Sequence, residues 1–382
     1  MAGVAKPALG IRASAVREGI ADLCEQRIAP EDLVAEVAER VRRVVPYDAG
    51  SWMTTDPETL LPTRLHAVGP KVCLRADDLH DELAGTGVNG FLDLDRSGRC
   101  AVSLAASTGG ELDRATRHRS VYEPLGLRDE LRLLARDGSA TWGMGCLRRA
   151  DDEPDFTAAE VRYVASIARH LGHGLRSGLA RTPPPRTPLA GSGTLVLDAA
   201  GRLEASTAEA DRWLRRISPV EPPELPVSVT MVAVQAQANA AGGGPPRPAR
   251  LRMSLPGGGW LLVQGEVLVS SPAHGGAGAA RTAVVLEPAS RADLLPVMLA
   301  LYGLTSRERQ LAELLVAGHG TDRIARRLGI SQHTVRDHTK AIFAKVNVAS
   351  RAELTAVLGA EVTGPPVDVP TGLGTAGLGL AG

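Results

Sequence analysis

The stretch ISQHTVRDHTKAIFAKV, residues 330–346, decides how this chain is read. It carries two of the four lysines in a sequence whose other basic residues are nearly all arginine. Wound as a helix at ~100° per residue, it gathers Val335, Thr339, Ile342 and Val346 on one face, with His338 and Phe343 at its edges. His333, Arg336, Asp337, Lys340 and Ala344 fall on the other side. One face is thus aliphatic, and the opposite face is polar with a small residue where bulk would prevent close approach. A helix of this shape fits the major groove of DNA, where its first half reaches base edges. Its wheel position gives His338 a packed, hydrogen-bonded structural role.

Working outward, the segment sits in a series of short capped helices. Thr305-x-x-Glu308 is a capping box, in which side chains satisfy the free amides of a helix start; Gly318 and Gly320 then end that helix. Thr321 is placed to cap a second helix over 322–328, Gly329 to form the turn, and Ser331 to cap the third. A second box, Ser350-x-x-Glu353, opens a fourth helix carrying Leu354, Val357 and Leu358. Ala325, Gly329 and Val335 have helix-turn-helix spacing. The small residue permits a close crossing, Gly permits φ > 0, and Val335 plugs the angle between the helices.

Charge supports a local polyanion contact. The whole chain is neutral, with 43 basic and 43 acidic residues. Residues 303–358 hold nine Lys/Arg against five Asp/Glu, a surplus of four that leaves the remainder four negative.

Residues 304–358 resemble the LuxR-type helix-turn-helix of the FixJ/NarL transcriptional regulators. The likeness lies in Leu304-Thr-x-Arg-Glu308, Ile324-Ala325, Leu328, Ile330-Ser331, Thr334-Val335-Arg336, His338, Lys345, Val348 and Ser350-Arg351. The arrangement is similar to that of actinobacterial regulators with a GAF-like N-terminal region. The resemblance implies a sequence-specific regulator of transcription that binds double-stranded DNA as a homodimer. It assigns base reading to Arg336, Asp337 and Lys340, to which His333 is added. Phosphate contacts are expected from Thr321, Gln332, Thr334, Lys345 and Arg351, and structural roles from Ala325, Gly329, Val335 and His338. Asp337 departs from the apolar residue often found at its position, and could accept from a cytosine amine or repel incorrect sequences. The fourth helix either joins the dimer or packs on its own module. RNA polymerase and a small-molecule effector are the further partners such a regulator would have.

The rest of the chain divides by composition. Residues 182–192 form a Pro-rich linker, and a weaker break runs from Glu287 to about Gly303. The Gly/Pro-rich tail, 361–382, is expected to be disordered. Residues 1–181 show a helical stripe over 31–45, strand-like runs over 48–55, 61–68, 129–136 and 140–149, and a long helix capped at Thr157. That order resembles GAF domains. Residues 193–290 offer strands on either side of Asp198–Gly201, a helix near 208–217, and strands over 260–269 and 282–287. They resemble a degenerate PAS-like domain whose loops, 238–248 and 271–279, are too flexible for a rigid cofactor cradle. The expected architecture is therefore multidomain: an α+β GAF-like domain (1–181), an α+β PAS-like domain (193–290), and an all-α, four-helix LuxR-type module (300–360).

Other chemistries lack their residues. No Gly-Lys pair exists to build a phosphate loop. The only lysines before 340 are Lys6 and Lys71, which excludes a receiver domain's acidic cluster with its later lysine. Cys24, Cys73, Cys100 and Cys146 form no CxxC pair and read as small core residues in a reducing compartment. His170 and His173 lie three apart without carboxylate or Cys partners, so they are expected to be solvated rather than metal-bound. No nucleophile–base constellation, cofactor motif, signal peptide or membrane-length apolar run stands out, which implies a cytoplasmic non-enzyme. Two alternatives remain: a sigma-factor-like promoter-recognition protein, and a GAF-type small-molecule-binding protein or enzyme with an incidental basic tail. The first would need an aromatic-rich melting region, which three Phe, four Tyr and four Trp do not provide.

Overall fold

The computed structural model describes residues 10–26, 28–72, 76–85, 87–183, 191–217, 224–242, 246–268 and 280–359. Most of the linker 182–192, the whole tail 361–382, the loop 271–279 and Cys73 lie outside them.

The chain begins with α1 (Ile11–Glu25) and α2 (Pro30–Arg42), the latter with Pro at its first turn and an apolar stripe through Leu33, Val34, Val37 and Val41. The strands β1 (Ala49–Thr55) and β2 (Pro62–Val68) form a hairpin. After α3 (Ala76–Ala84), α4 (Phe91–Ser97), β3 (Ala101–Ser103) and α5 (Leu104–Thr108) come the long strands β4 (Leu127–Asp137) and β5 (Ala140–Ala150). The sheet is antiparallel in the order β2-β1-β5-β4-β3. Helix α6 (Ala158–Leu179), held at its start by the Thr157–Glu160 capping box, covers one face together with α1 and α2. Its glycines let it lie close. A Cβ at Gly172 would sit 2.4 Å from the Arg136 carbonyl, and one at Gly174 would press into Leu33 and Cys24. Glycine in a helix costs about 1 kcal/mol relative to alanine, and here that cost is offset by the approach it allows.

A second five-stranded antiparallel sheet repeats the order. It comprises β6 (Gly193–Leu197), β7 (Leu203–Ser206), β8 (Arg250–Ser254), β9 (Trp260–Leu268) and β10 (Arg281–Pro288), arranged β7-β6-β10-β9-β8. Helices α7 (Ala208–Ile217) and α8 (Val227–Ala241) pack on it. Strand β8 and helix α8 were not legible from periodicity. The helix is apolar nearly all round and lacks the alternation of faces that marks a surface helix, and its last residues, 238–241, fall where a flexible loop was expected.

The two sheets are joined by a buried clamp. The turn between β1 and β2 inserts Asp56 against Arg252 of β8, whose amide and Nη1 reach Asp56 Oδ2 at 2.7 and 3.1 Å. Arg64 donates to the carbonyls of Ser254 (2.7 Å) and Ile217 (3.2 Å), and Arg247 to that of Thr59 (3.0 Å). The break expected between Glu287 and Gly303 is instead a helix, α9 (Arg291–Leu301), despite Pro296 in its interior. Ser290 and Asp293 form its capping box. Leu294, Val297, Ala300 and Leu301 pack into the core of the first sheet, while Leu299 belongs to the C-terminal core. The helix thus fastens the last module to the body.

That module consists of α10 (Ser306–Val316), α11 (Thr321–Leu328), α12 (Gln332–Val346) and α13 (Arg351–Gly359) around Leu304, Leu311, Ala312, Leu315, Ile324, Val335, Ile342 and Leu354. Among the described residues, no helix is long and apolar enough to cross a membrane.

Candidate nucleic-acid interface

The opening of α10 forms both halves of its capping box: Glu308 N donates to Thr305 Oγ1 (3.3 Å), and Thr305 N to Glu308 Oε2 (2.6 Å). The same carboxylate receives Lys345 Nζ at 2.6 Å, which ties the start of α10 to the end of α12. Burial alone would push the Glu308 carboxyl up. The hydrogen bonds from Lys345 and Thr305 outweigh it and hold that carboxyl below the ordinary glutamate value.

The turn between α11 and α12 depends on Gly329, which caps α11 with φ of 64°. A Cβ there would meet nothing within 4 Å, so the glycine serves the backbone angle rather than space. Ala325 and Val335 are buried beside Ile324 in the angle between the two helices. The cap of α11 differs from expectation. It is Gly320, with no side-chain bond, and Thr321 is the first helical residue, because the backbone turns into the helix one residue earlier. Ser331 caps α12 by accepting the Thr334 amide at 3.0 Å, and Asn347 closes it in the left-handed conformation, φ 58°.

Along α12, Val335, Ile342 and Val346 are buried, and Thr339, His338 and Phe343 are half-buried. His338 makes no hydrogen bond among the described residues, so packing alone holds it. His333, Arg336, Asp337, Lys340 and Ala344 are exposed together on the outer side. His333 Nε2 lies 3.4 Å from Asp337 Oδ2, one helical turn on. Arg336 and Lys340 have no ion pair or hydrogen bond among the described residues, which leaves both charges to solvent.

The flanking residues divide. Gln332 donates to Asp322 (3.2 Å), which also pairs with Arg326, and Thr334 shares a hydrogen bond with Ser331 at 2.8 Å. Lys345 is engaged by Glu308, and Arg351 Nε donates to the Leu315 carbonyl at 3.0 Å. These last two cations brace the module, a role that their positions in the sequence did not reveal. Helix α13 buries Leu354 and Leu358 against its own module and exposes Val357.

Elsewhere, His173 is buried rather than solvated. Its Nδ1 lies 3.3 Å from Asp137 Oδ2, which also receives Arg176 at 3.0 Å. Cys24 and Cys146 are buried and Cys100 is half-buried, and burial pushes the Cys24 and Cys146 thiols up to about 12. Sequence reasoning missed an ionic cluster inside the first sheet. Glu130 accepts from Tyr122 (2.7 Å), Arg117 Nε (2.8 Å) and Arg132 Nε (2.9 Å), with Arg148 Nη2 3.6 Å away. Glu130 and Arg132, two apart and therefore on the same face of β4, were the available signal.

Residues 303–358 match the family of bacterial regulatory proteins, luxR family. A curated relative from Aeromonas salmonicida, "Putative HTH-type transcriptional regulator in exeN 3'region", is 46% identical over 69 residues, which are 18% of this chain and 35% of that protein. The chain thus spans about a third of the length of that relative. Among solved structures, the free methionine-R-sulfoxide reductase of Neisseria meningitidis is similar over 47% of this chain and 98% of its own, with 15% identity and a TM-score of 0.33. The GAF domain of an Acinetobacter phosphoenolpyruvate-protein phosphotransferase is similar over 45% and 97%, with 13% identity and a TM-score of 0.32. Helices α10 to α13 are a LuxR-family helix-turn-helix domain.

Proposed function

We propose that this protein is a sequence-specific DNA-binding regulator of transcription that inserts α12 into the major groove. The observation that carries the reading is the outer face of α12. Arg336 and Lys340 stand exposed and unpaired there, while the opposite side is packed into the domain core. Arg336, Asp337, Lys340 and His333 read base edges, and Asp337 accepts from a cytosine amine once it parts from His333. Thr321, Gln332 and Thr334, at the starts of α11 and α12, contact phosphates. Lys345 and Arg351, first expected at phosphates, are assigned to holding the module together.

In this reading the body is the regulatory part. A GAF-like domain (1–181) and a PAS-like domain (193–290), separated by the linker 182–192, sense an effector and act on the module (300–360) through α9. The identical strand order of the two sheets supports a common sensor-type architecture. The protein acts as a dimer through α13, whose exposed Val357 is available for a two-fold contact, and matches a paired half-site.

Fluorescence anisotropy of the full chain with labelled promoter fragments tests the reading. Binding is expected to weaken steeply as salt rises, with a preference among sequences that Lys340→Ala reduces. Equal, salt-insensitive affinity for every fragment, or none, would sink it.

A further inference from the structure

A cavity of about 570 Å³ lies between the outer face of the first sheet and the helical side of the second domain. That is within the size of small-molecule sites, commonly ~300–1,000 Å³. Both domains wall it. Met53, Leu60 and Phe91 come from the first, and Leu225 and Met231 from the second, so most of the lining is apolar.

The polar part of the lining is unbalanced in sign. Arg132 is fully paired, to Glu130 and to Glu82 (2.7 Å). Arg148, only 3% exposed, is not. Its Nη1 donates to Ser51 Oγ (3.1 Å), its closest carboxylate oxygen is the one 3.6 Å away on Glu130, and its Nε has no hydrogen-bond partner. Among the described residues, three guanidiniums, those of Arg117, Arg132 and Arg148, therefore share two carboxylates, Glu130 and Glu82, leaving one positive charge over. Two further arginines on the cavity wall, Arg64 and Arg247, bond only to carbonyls and make no ion pair among the described residues. Burying a cation without a counter-charge is costly, and a second anion arriving by way of the cavity would relieve that cost.

We infer that this cavity binds a small organic acid, an apolar body carrying one carboxylate or comparable anionic group, with its acid end at Arg148 and Ser51. Arg132 and its acidic partners form the fixed floor. The apolar body lies along Phe91, Met53 and Met231, so that the ligand touches both domains at once. A neutral apolar molecule would fill the same space but leave the surplus charge unanswered. A small inorganic anion would answer the charge but leave the apolar walls wet. This names the chemistry of the effector in the functional reading above and rests on that reading only for its regulatory consequence.

Binding is measured on the full chain without DNA, so a failed ligand and a failed operator are told apart. The probes are decanoate, decan-1-ol and inorganic phosphate, followed by isothermal titration calorimetry. Decanoate is expected to bind at least about tenfold more tightly than the alcohol, the equivalent of one good charge-assisted hydrogen bond, and phosphate not at all. Arg148→Gln should bring the acid-to-alcohol ratio below about threefold, and Met231→Trp, which fills the cavity, should weaken decanoate by about tenfold or more. If Arg148→Gln does not fold, the ratio in the parent chain and the Met231→Trp result decide. Equal affinity for acid and alcohol, no binding of decanoate at millimolar concentration, or indifference to Met231→Trp would each overturn the inference.

Discussion

Arginine occurs in opposite states in two regions of this molecule. Inside the first sheet, Arg132 and Arg148 are almost wholly buried, clamped around Glu130 and laid over the rings of Phe91 and Tyr122. On α12, Arg336 is exposed and holds no partner among the described residues. The contrast separates two uses of one side chain. A buried guanidinium costs several kcal/mol to desolvate, so it persists only inside a network and its loss is felt as instability. An exposed one is nearly free energetically, so its loss is felt only when a partner arrives. Mutations at the two places should therefore separate stability from binding.

The sharpest way to break that comparison is Glu130→Gln. It leaves three buried guanidiniums to share the single carboxylate of Glu82, and should destabilise the first domain by about 3–5 kcal/mol. Urea unfolding followed by the fluorescence of Trp52 and Trp142, both in this sheet, reports it; a loss under about 1 kcal/mol would mean that solvent reaches the cluster. Arg336→Ala is the counterpart. It should leave unfolding unchanged within about 0.5 kcal/mol, weaken operator binding by about 1–3 kcal/mol, and relax one base position. A stability loss at Arg336, or none at Glu130, would invert the assignment.

Legibility in the sequence follows the same division. The C-terminal module was readable because each of its signals is local. The capping box at Thr305–Glu308, the Ser350 hydroxyl that accepts the Glu353 amide, the glycine at 329 and the aliphatic stripe of α12 all act within one or two turns. The strands of the two sheets were partly readable by alternation. What stayed hidden was non-local. Helix α8 is apolar on all sides because it is sandwiched between its own sheet and the first domain, so no periodic face announces it. Helix α9 carries a proline and looked like a break, yet two separate cores hold it. Neither the Asp56–Arg252 clamp nor the cavity could be read, since their partners lie nearly two hundred residues apart in the chain. Even inside the module, Lys345 and Arg351 looked like phosphate contacts because only the fold brings Glu308 and the Leu315 carbonyl to them.

A smaller effect probes the turn on which the module depends. Gly329→Ala places a Cβ in open space but at φ 64°, so only backbone strain opposes it, at about 1–2 kcal/mol. The chain's four tryptophans all lie in the body, so hydrogen exchange at the α12 amides is the appropriate measurement. Faster exchange confined to α11 and α12 is expected; exchange that speeds up throughout the body would show that the module is not a separate cooperative unit.

The smallest effect concerns the one cation of α12 that behaves like the buried set. Lys345 is 36% exposed but paired with Glu308, whose carboxyl is held below its ordinary value of 4.5. A depressed carboxyl stabilises the fold above the unfolded-state value and loses that contribution as pH falls through the folded one. Lys345→Met should therefore cost about 0.5–1 kcal/mol at neutral pH, discounted for the solvent around the lysine. The gap between variant and parent, read again by exchange at α12, should narrow as pH drops below about 4.5. Raising salt at neutral pH should shrink it only slightly, because the acid end of the pair is buried even though the amine is not. A gap that vanishes at high salt would place this pair with Arg336, among the charges free to meet DNA. A gap that survives salt but closes with acid would place it with Glu130, among those that hold the fold.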